Sequence, residues 1–387
     1  MSTPTPIRIG VIGLGQRGLQ HLAALWQLQQ EGAVEIVALG DAFPANLTPE
    51  KLNQYVPGLP AESIERTTNT QSLINADLLD ALYIAIPPNV HKGEVVAAAQ
   101  AGIHLFVEKP MSLFLDEAIE MDNAIRAAGI VSTVGFQQRY DSQHEALHDF
   151  VADKPVVMAC YTLHAPLESH SVKHTFTETV GGPSNRVWTA NRAWSGGTVV
   201  EAGIHPLDLW RYWFGDVEWV QAQYIQRPPA EIYDGADNPY AYSANFGFAN
   251  GAVGVMTLSR LRRVFASHLD HQVLWNEGRV ALERESLTAF HYDGAYPPTE
   301  KPSEDAVRRV IHGRNTNNTT YEIAAAFVRA VADKRQELVR SSFTDAMNSL
   351  AAVIAANVSD ELGGERVEIA ELMTSEKYAP QRKKIVG

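Results

Sequence analysis

Ile7-Arg8-Ile9-Gly10-Val11-Ile12-Gly13-Leu14-Gly15-Gln16-Arg17-Gly18 is the stretch whose reading decides the fold. Ile7 to Ile12 is an apolar run that reads as a buried strand. It enters Gly13-x-Gly15-x-x-Gly18 directly, and helical periodicity follows from Gln16, with Leu19, Leu22, Ala23, Leu25 and Trp26 on one stripe. That order of strand, glycines and helix gives the pattern its meaning. Gly13 permits the tight turn, Gly15 admits a pyrophosphate against the backbone, and Gly18 lets helix and strand pack closely. The helix N-terminus adds free N–H groups and the positive end of its dipole. The stretch is read as a dinucleotide cradle.

Working outward, strand and helix alternate. A second strand, Val34 to Leu39, ends at Gly40-Asp41, with Asp41 23 residues beyond Gly18. An acid at that separation meets the adenine ribose hydroxyls, and its charge would repel a 2′-phosphate, so NAD is expected rather than NADP. Strands follow at Ala81–Ile86, His104–Val107 and Ile130–Phe136, with helices near 91–100 and 116–128 between them. This rhythm predicts a doubly wound parallel sheet with its ligands at the carboxyl ends of the strands. Pro87, Asn89, His91, Glu108, Lys109 and the Phe136–Tyr140 segment fall at that edge. With Gly13, Gly15, Gln16, Arg17, Gly18 and Asp41, the first five of these are the candidate cofactor-binding residues.

Beyond about residue 136 the rhythm changes. A short helix (142–151) and a strand (156–164) lead into a long irregular stretch, 165–197, rich in Gly, Ser, Thr, His and Trp, whose length without an element predicts a functional loop or lid. A helix is predicted over 198–214, then strands at 217–226, 241–248, 252–261, 268–275, 278–282 and 286–292, with Asn250-Gly251 as a hairpin turn. Helices near 321–332 and 344–359 and a strand at 366–369 close the chain. The expected α/β architecture is therefore a dinucleotide-binding Rossmann domain, residues 1–135, followed by an α+β domain, residues 136–387, built on a mostly antiparallel open sheet.

Bulk properties bound the function. The 387 residues allow two domains with real cores, and 45% hydrophobic with 20% charged residues is ordinary globular composition. A formal net charge of −13 disfavours nucleic acid and anionic membrane as partners. The single cysteine, Cys160, allows no internal disulfide. Met1 to Pro6 lacks the basic and apolar regions of a secretory leader, and no apolar run reaches membrane-spanning length, so a cytoplasmic enzyme is expected.

Four motifs in order give the chain a resemblance: Gly13-x-Gly15-x-x-Gly18, Val107-Glu108-Lys109-Pro110, Val134-Gly135-Phe136-Gln137-Gln138-Arg139-Tyr140, and Ser195-Gly196-Gly197 through Glu201, Gly203, His205 and Asp208. With them the chain resembles the glucose–fructose oxidoreductase / inositol dehydrogenase / MocA family over nearly its whole length. Two positions depart from the family pattern: Ser195 replaces the first glycine of a triplet, and Glu201 stands where the family has Asp.

The resemblance implies hydride transfer between NAD and a carbinol carbon, which requires a group to take the hydroxyl proton. Lys109 ends a strand at the cofactor edge, with Pro110 fixing the turn that aims it inward, and the family is known for a cis or strained turn there. Glu201 and His205, four apart on the predicted helix, would project from one face, the carboxylate fixing the imidazole tautomer; Pro206 leaves open a helix that begins only there, with Glu201 on a loop. Asp208 would support His205 or cap the helix. Tyr140 is an additional candidate acid or base, so Lys109, His205, Glu201 and Tyr140 form the candidate catalytic set. Arg139, His164, His174, Arg192, Trp194 and His205 are candidate substrate contacts, aromatic faces and hydrogen-bonding groups being suited to a carbohydrate pocket. His170 and His174 have zinc-like spacing without a helix signal, and no metal site is expected. Lys173, Arg186, Arg192, Arg262 and Arg263 are available for an acidic substrate group.

The expected function is NAD-dependent oxidation of a ring hydroxyl carbon of a small-molecule carbohydrate or polyol. The alternative is an NAD-dependent glycoside hydrolase, as in family members with a long mid-chain loop, which oxidise transiently, eliminate, add water and re-reduce; Tyr140, His164, His170 or His174 would supply its extra acid and base. A non-catalytic NAD-sensing protein would need neither Lys109 nor His205. The family's open sheet usually pairs, which implies a homodimer or homotetramer.

Overall fold

In the computed structural model, residues 5–166, 188–232, 236–261, 264, 266–313 and 317–383 are described. The first sheet takes β1 (Ile7–Ile12), β2 (Val34–Gly40), β3 (Glu65–Thr67), β4 (Ala81–Ile84), β5 (His104–Val107) and β6 (Ser132–Val134) in the order β3-β2-β1-β4-β5-β6, every pair parallel. Helices α1 (Gln16–Gln30), α2 (Pro49–Tyr55), α3 (Glu94–Gln100) and α4 (Leu115–Ala128) alternate with these strands. The continuous apolar runs follow from burial on both faces: Ala81, Leu82, Tyr83 and Ile84 are all within 1% of complete burial. The expected Rossmann sheet is present, with β4 and β6 shorter than their apolar runs.

After α5 (Ser142–Val151) the second sheet begins with β7 (Val156–Pro166). Helices α6 (Arg192–Ser195), α7 (Thr198–Glu201) and α8 (Ile204–Phe214) precede β8 (Val217–Ile225), β9 (Ala241–Phe248), β10 (Val253–Leu261), β11 (His268–Trp275), β12 (Gly278–Leu282) and β13 (Ser286–His291). Then come α9 (Glu304–Val307), β14 (Arg308–Gly313), α10 (Thr319–Asp333), α11 (Phe343–Glu361) and β15 (Val367–Glu368). The order is β14-β13-β12-β11-β7-β10-β9-β8-β15, antiparallel throughout except for the parallel pair β7/β10. It is a mixed, mostly antiparallel sheet.

Helix α10 crosses between the two halves. α10 comes from the C-terminal part of the chain but packs on α1, and Ile323 and Phe327, both fully buried, join Ile9, Val11, Leu22 and Phe106 in one core. Each such side chain contributes roughly 1.5–3 kcal/mol by leaving water. The segment after α10 also closes the free edge of β6: Val134 N–H donates to Ser341 O at 2.9 Å, and Gln336 bonds both backbone groups of Ser132.

The predicted helix over 198–214 is two helices. Thr198 O accepts from both Ala202 N–H (2.9 Å) and Gly203 N–H (3.0 Å), which closes α7. α8 starts afresh at Ile204, with Pro206 in its first turn, where a missing N–H costs nothing. β14 and α2 had no sequence expectation.

Candidate active site

The glycine loop is built as a cradle. Gly13 adopts φ +89°, and a Cβ there would stand 2.4 Å from Ala85 O. A Cβ on Gly18 would stand 1.7 Å from Gly13 O, so α1 closes on the turn only with glycine at that position. Gly15, the residue preceding α1, would place its Cβ in open space with nothing within 4 Å. The helix N-terminus therefore faces room for a pyrophosphate, and Gln16 is exposed beside it. Asp41, 6% exposed, accepts from Leu14 N–H (2.7 Å) and Phe43 N–H (2.8 Å), which ties the end of β2 to the loop. Each carboxylate oxygen keeps a further lone pair for a ribose hydroxyl.

Beneath the cradle, Glu108 is buried and accepts from Arg17 Nε (2.7 Å), His21 Nε2 (2.6 Å) and Lys109 N–H (3.1 Å). Burial opposes its ionisation, but Arg17 and His21 outweigh it and hold the carboxyl far below the usual carboxylate range. Arg17 and Glu108, expected at the cofactor, thus spend these contacts on each other; Arg17 also reaches Thr320 on α10. His91 is likewise engaged, its Nδ1 lying 3.7 Å from the buried Glu94 at the start of α3. Pro87 precedes the short turn Pro88–Val90 and Asn89 lies within it; α6 packs against this turn, so Arg192 and Trp194 arrive at the carboxyl edge of the first sheet.

The Lys109-Pro110 peptide is cis. Lys109 Nζ crosses to the second half, donating to Glu201 O (2.8 Å) and Glu201 Oε1 (3.2 Å). The carboxylate that was expected to orient His205 serves the lysine instead, because the break at 202–203 ends α7 at Glu201. His205 Nδ1 is buried with no hydrogen-bond partner among the described residues. Burial first, and the Lys109 ammonium second, push the imidazole well below its ordinary pKa, so it is neutral near pH 7. His205 lines a cleft of about 910 Å³ with Ala202, Tyr161, His271, His144 and Gln138.

Two of the expected site residues, Arg139 and Tyr140, are engaged by long-range bonds. Arg139 is 3% exposed and forms a two-pronged pair with Asp208 (Nε–Oδ2 2.8 Å, Nη2–Oδ1 2.6 Å), and its Nη1 meets Asp345 at 2.8 Å. It locks α8 to α11, its guanidinium engaged with these carboxylates; Asp208 bonds Arg139, with Ser349 Oγ at 2.9 Å, and not His205. Tyr140 is 6% exposed in the core under α10, its hydroxyl accepting from Arg340 N–H at 2.9 Å, and burial raises its pKa. Its ring packs in that core. His164 bonds Ser259 Oγ (2.9 Å) and stacks on His268; strand alternation turns it to the opposite side of β7 from Tyr161. Arg192 N–H donates to Asp237, and its guanidinium lies 3.6 Å from Glu361. His170, Lys173, His174, Arg186, Arg262 and Arg263 lie outside the described residues.

Sequence reasoning missed Tyr161, His271, His144 and Gln138. A signal existed for one: Leu269, His271, Val273 and Trp275 share one face of β11, and a histidine in that series is the anomaly.

Residues 7–136 match the model of an oxidoreductase family with an NAD-binding Rossmann fold, and residues 168–280 match the GFO/IDH/MocA C-terminal domain. The chain belongs to the Gfo/Idh/MocA family. It is 28% identical to myo-inositol 2-dehydrogenase of Thermotoga maritima over 275 residues, 71% of this chain and 74% of that one. It is 24% identical to scyllo-inositol 2-dehydrogenase (NAD(+)) of Bacillus subtilis over 279 residues, 71% of this chain and 73% of that one. Among solved structures, levoglucosan dehydrogenase in complex with NADH superposes with a TM-score of 0.72 at 19% identity, over 94% of this chain and 99% of that one. The protein is a Gfo/Idh/MocA oxidoreductase with an NAD-binding domain. Among its described residues, no helix is long and apolar enough to cross a membrane.

Proposed function

We propose that the protein oxidises a ring hydroxyl carbon of a sugar or cyclitol, with NAD rather than NADP as the hydride acceptor. The observation that carries the reading is a neutral, buried His205, its Nδ1 unpartnered, on the wall of a cleft and in the field of Lys109. NAD, when bound, takes the hydride. Gly13, Gly15 and Gly18 would hold its pyrophosphate against the start of α1, and Asp41 its adenine ribose.

The chain's own residues then manage the hydroxyl. Lys109 Nζ has three N–H groups and spends two on Glu201, which leaves one to orient the reacting oxygen. His205, being neutral, accepts the hydroxyl proton as the C–O bond gains double-bond character. Glu201 aims the lysine, so replacing the family's Asp by Glu changes the reach of that brace and keeps its charge. The inositol dehydrogenases among the relatives support a polyol substrate.

The test is anaerobic incubation with NAD and a panel of cyclitols, free sugars and aryl glycosides. Stoichiometric NADH with a free polyol is the expected result; aglycone release without net NADH overturns it in favour of redox-neutral hydrolysis. Lys109→Ala should abolish turnover while NADH still binds, and loss of NADH binding would reassign Lys109 to a structural role. We also propose a homodimer or homotetramer formed through the open face of the second sheet, where Met158, Ile225 and Leu261 are 37%, 60% and 38% exposed. Light scattering that finds only monomer would refute it.

A further inference from the structure

His271 stands on β11 directly opposite Tyr161 of β7, their rings edge to face at 5.2 Å, and both line the cleft that contains His205. Behind it lies Trp210, fully buried on α8, the helix whose first turn carries His205. Trp210 Nε1–H donates to His271 Nε2 at 2.9 Å. The indole N–H is a donor only, so His271 Nε2 must carry a lone pair and the ring proton must reside on Nδ1. The arrangement is a built one: a Cβ at Gly254 on β10 would stand 2.5 Å from the indole ring, so that glycine makes the room Trp210 occupies. No described group is bonded to His271 Nδ1.

We propose that His271 is a substrate-binding residue of this enzyme, whose Nδ1–H donates to a second oxygen of the polyol, distinct from the hydroxyl that reacts at His205. The inference rests on the polyol reading above and extends it to specificity. Trp210 makes the site one-way: it accepts only a substrate atom with a free lone pair, such as a ring oxygen, a carbonyl or a hydroxyl turned to accept. Because Trp210 and His205 share α8, the distance between the donor and the proton acceptor is set by one rigid helix and its indole, not by loops. Burial, and then His144, push His271 down to about 3, so the ring is neutral near pH 7.

Two substitutions separate the roles of the two ring nitrogens. His271→Gln keeps an oxygen near Nε2 for Trp210 but removes the donor facing the cleft. His271→Asn keeps an amide N–H near Nδ1 but abandons Trp210. The Gln variant should raise KM for the accepted polyol roughly 10-fold, with NADH affinity unchanged, as expected for one lost hydrogen bond. The Asn variant should recover most of that loss despite a lower Tm. Among monodeoxy analogues of the polyol, one should already bind the wild type roughly 10-fold more weakly and lose nothing further in His271→Gln. The reverse pattern, a normal KM in the Gln variant and a raised one in the Asn variant, overturns the proposal and leaves His271 as an anchor for Trp210. Wild-type KM in both variants overturns it as well. Wild-type protein that binds NADH but neither oxidises nor binds any polyol refutes the functional reading itself, and this proposal with it.

Discussion

Alanine at Gly15 and at Gly18 should give opposite phenotypes, although the two residues are three apart in one loop. Gly15 has φ −70° and ψ −172°, which alanine adopts freely, and its added Cβ meets nothing within 4 Å. Restricting the unfolded chain stabilises by about 0.4–1 kcal/mol, while alanine is a poorer residue than glycine before a helix by a comparable amount. The net change in stability should therefore stay within about 1 kcal/mol. The methyl group does, however, occupy the space through which the backbone meets the pyrophosphate. Losing one charge-assisted hydrogen bond of about 1.5–3 kcal/mol weakens NADH binding roughly 10- to 100-fold. At Gly18 the Cβ would lie 1.7 Å from Gly13 O, and backbone must move; about 3 kcal/mol of stability should go with it. Thermal unfolding and NADH fluorescence titration read the two effects independently. If Gly15→Ala binds NADH within twofold of wild type, the cofactor does not cross Gly15 and this loop is not its pyrophosphate cradle.

Arg139→Leu should cost about 3–5 kcal/mol in denaturant unfolding, because Asp208 would be left charged at 2% exposure; replacing Asp208 by Leu as well should return much of it. An undiminished midpoint in the single variant would show that the pair is dispensable. Acid should destabilise the fold through its buried histidines. His271 has its folded pKa depressed to about 3, against about 6.5 unfolded, so the unfolded chain takes the proton first as pH falls. Its contribution is complete above pH ~6.5 and falls by about 2 kcal/mol by pH ~5, with His205 and His21 acting in the same direction. Tm measured from pH 8 to 5 should fall less steeply in His271→Gln than in wild type, and parallel curves would contradict the assignment.

The cofactor half of the protein was legible because its signals are local. An apolar run, three glycines and a helical stripe each report on their own neighbours, and β1, α1, β2 and β5 lie where that reading puts them. The site was legible by type more than by contact. Lys109 and His205 do share a region, but the partner of Lys109 is Glu201, 92 residues away, and the break that frees Glu201 from α8 depends on hydrogen bonds at 198–203. The partners of Arg139 and Tyr140 were hidden for the same reason. Asp208 and Arg340, distant in sequence, bond this charged and this phenolic side chain at the strand's carboxyl end. His271 was hidden differently: its role depends on a donor, Trp210, that belongs to another element.

The return of α10 to the first sheet bears on modularity. Judged by its chain, the nucleotide-binding unit ends near residue 136; judged by its core, it comprises two separate pieces, the second beginning at Thr319 and running through the strap that seals β6. A fragment cut at residue 136 would expose the surface that Ile323 and Phe327 cover. Transplanting this cofactor module onto another substrate domain therefore requires two grafts, not one, and recombination at a single crossover would break a core that the linear sequence gives no sign of dividing.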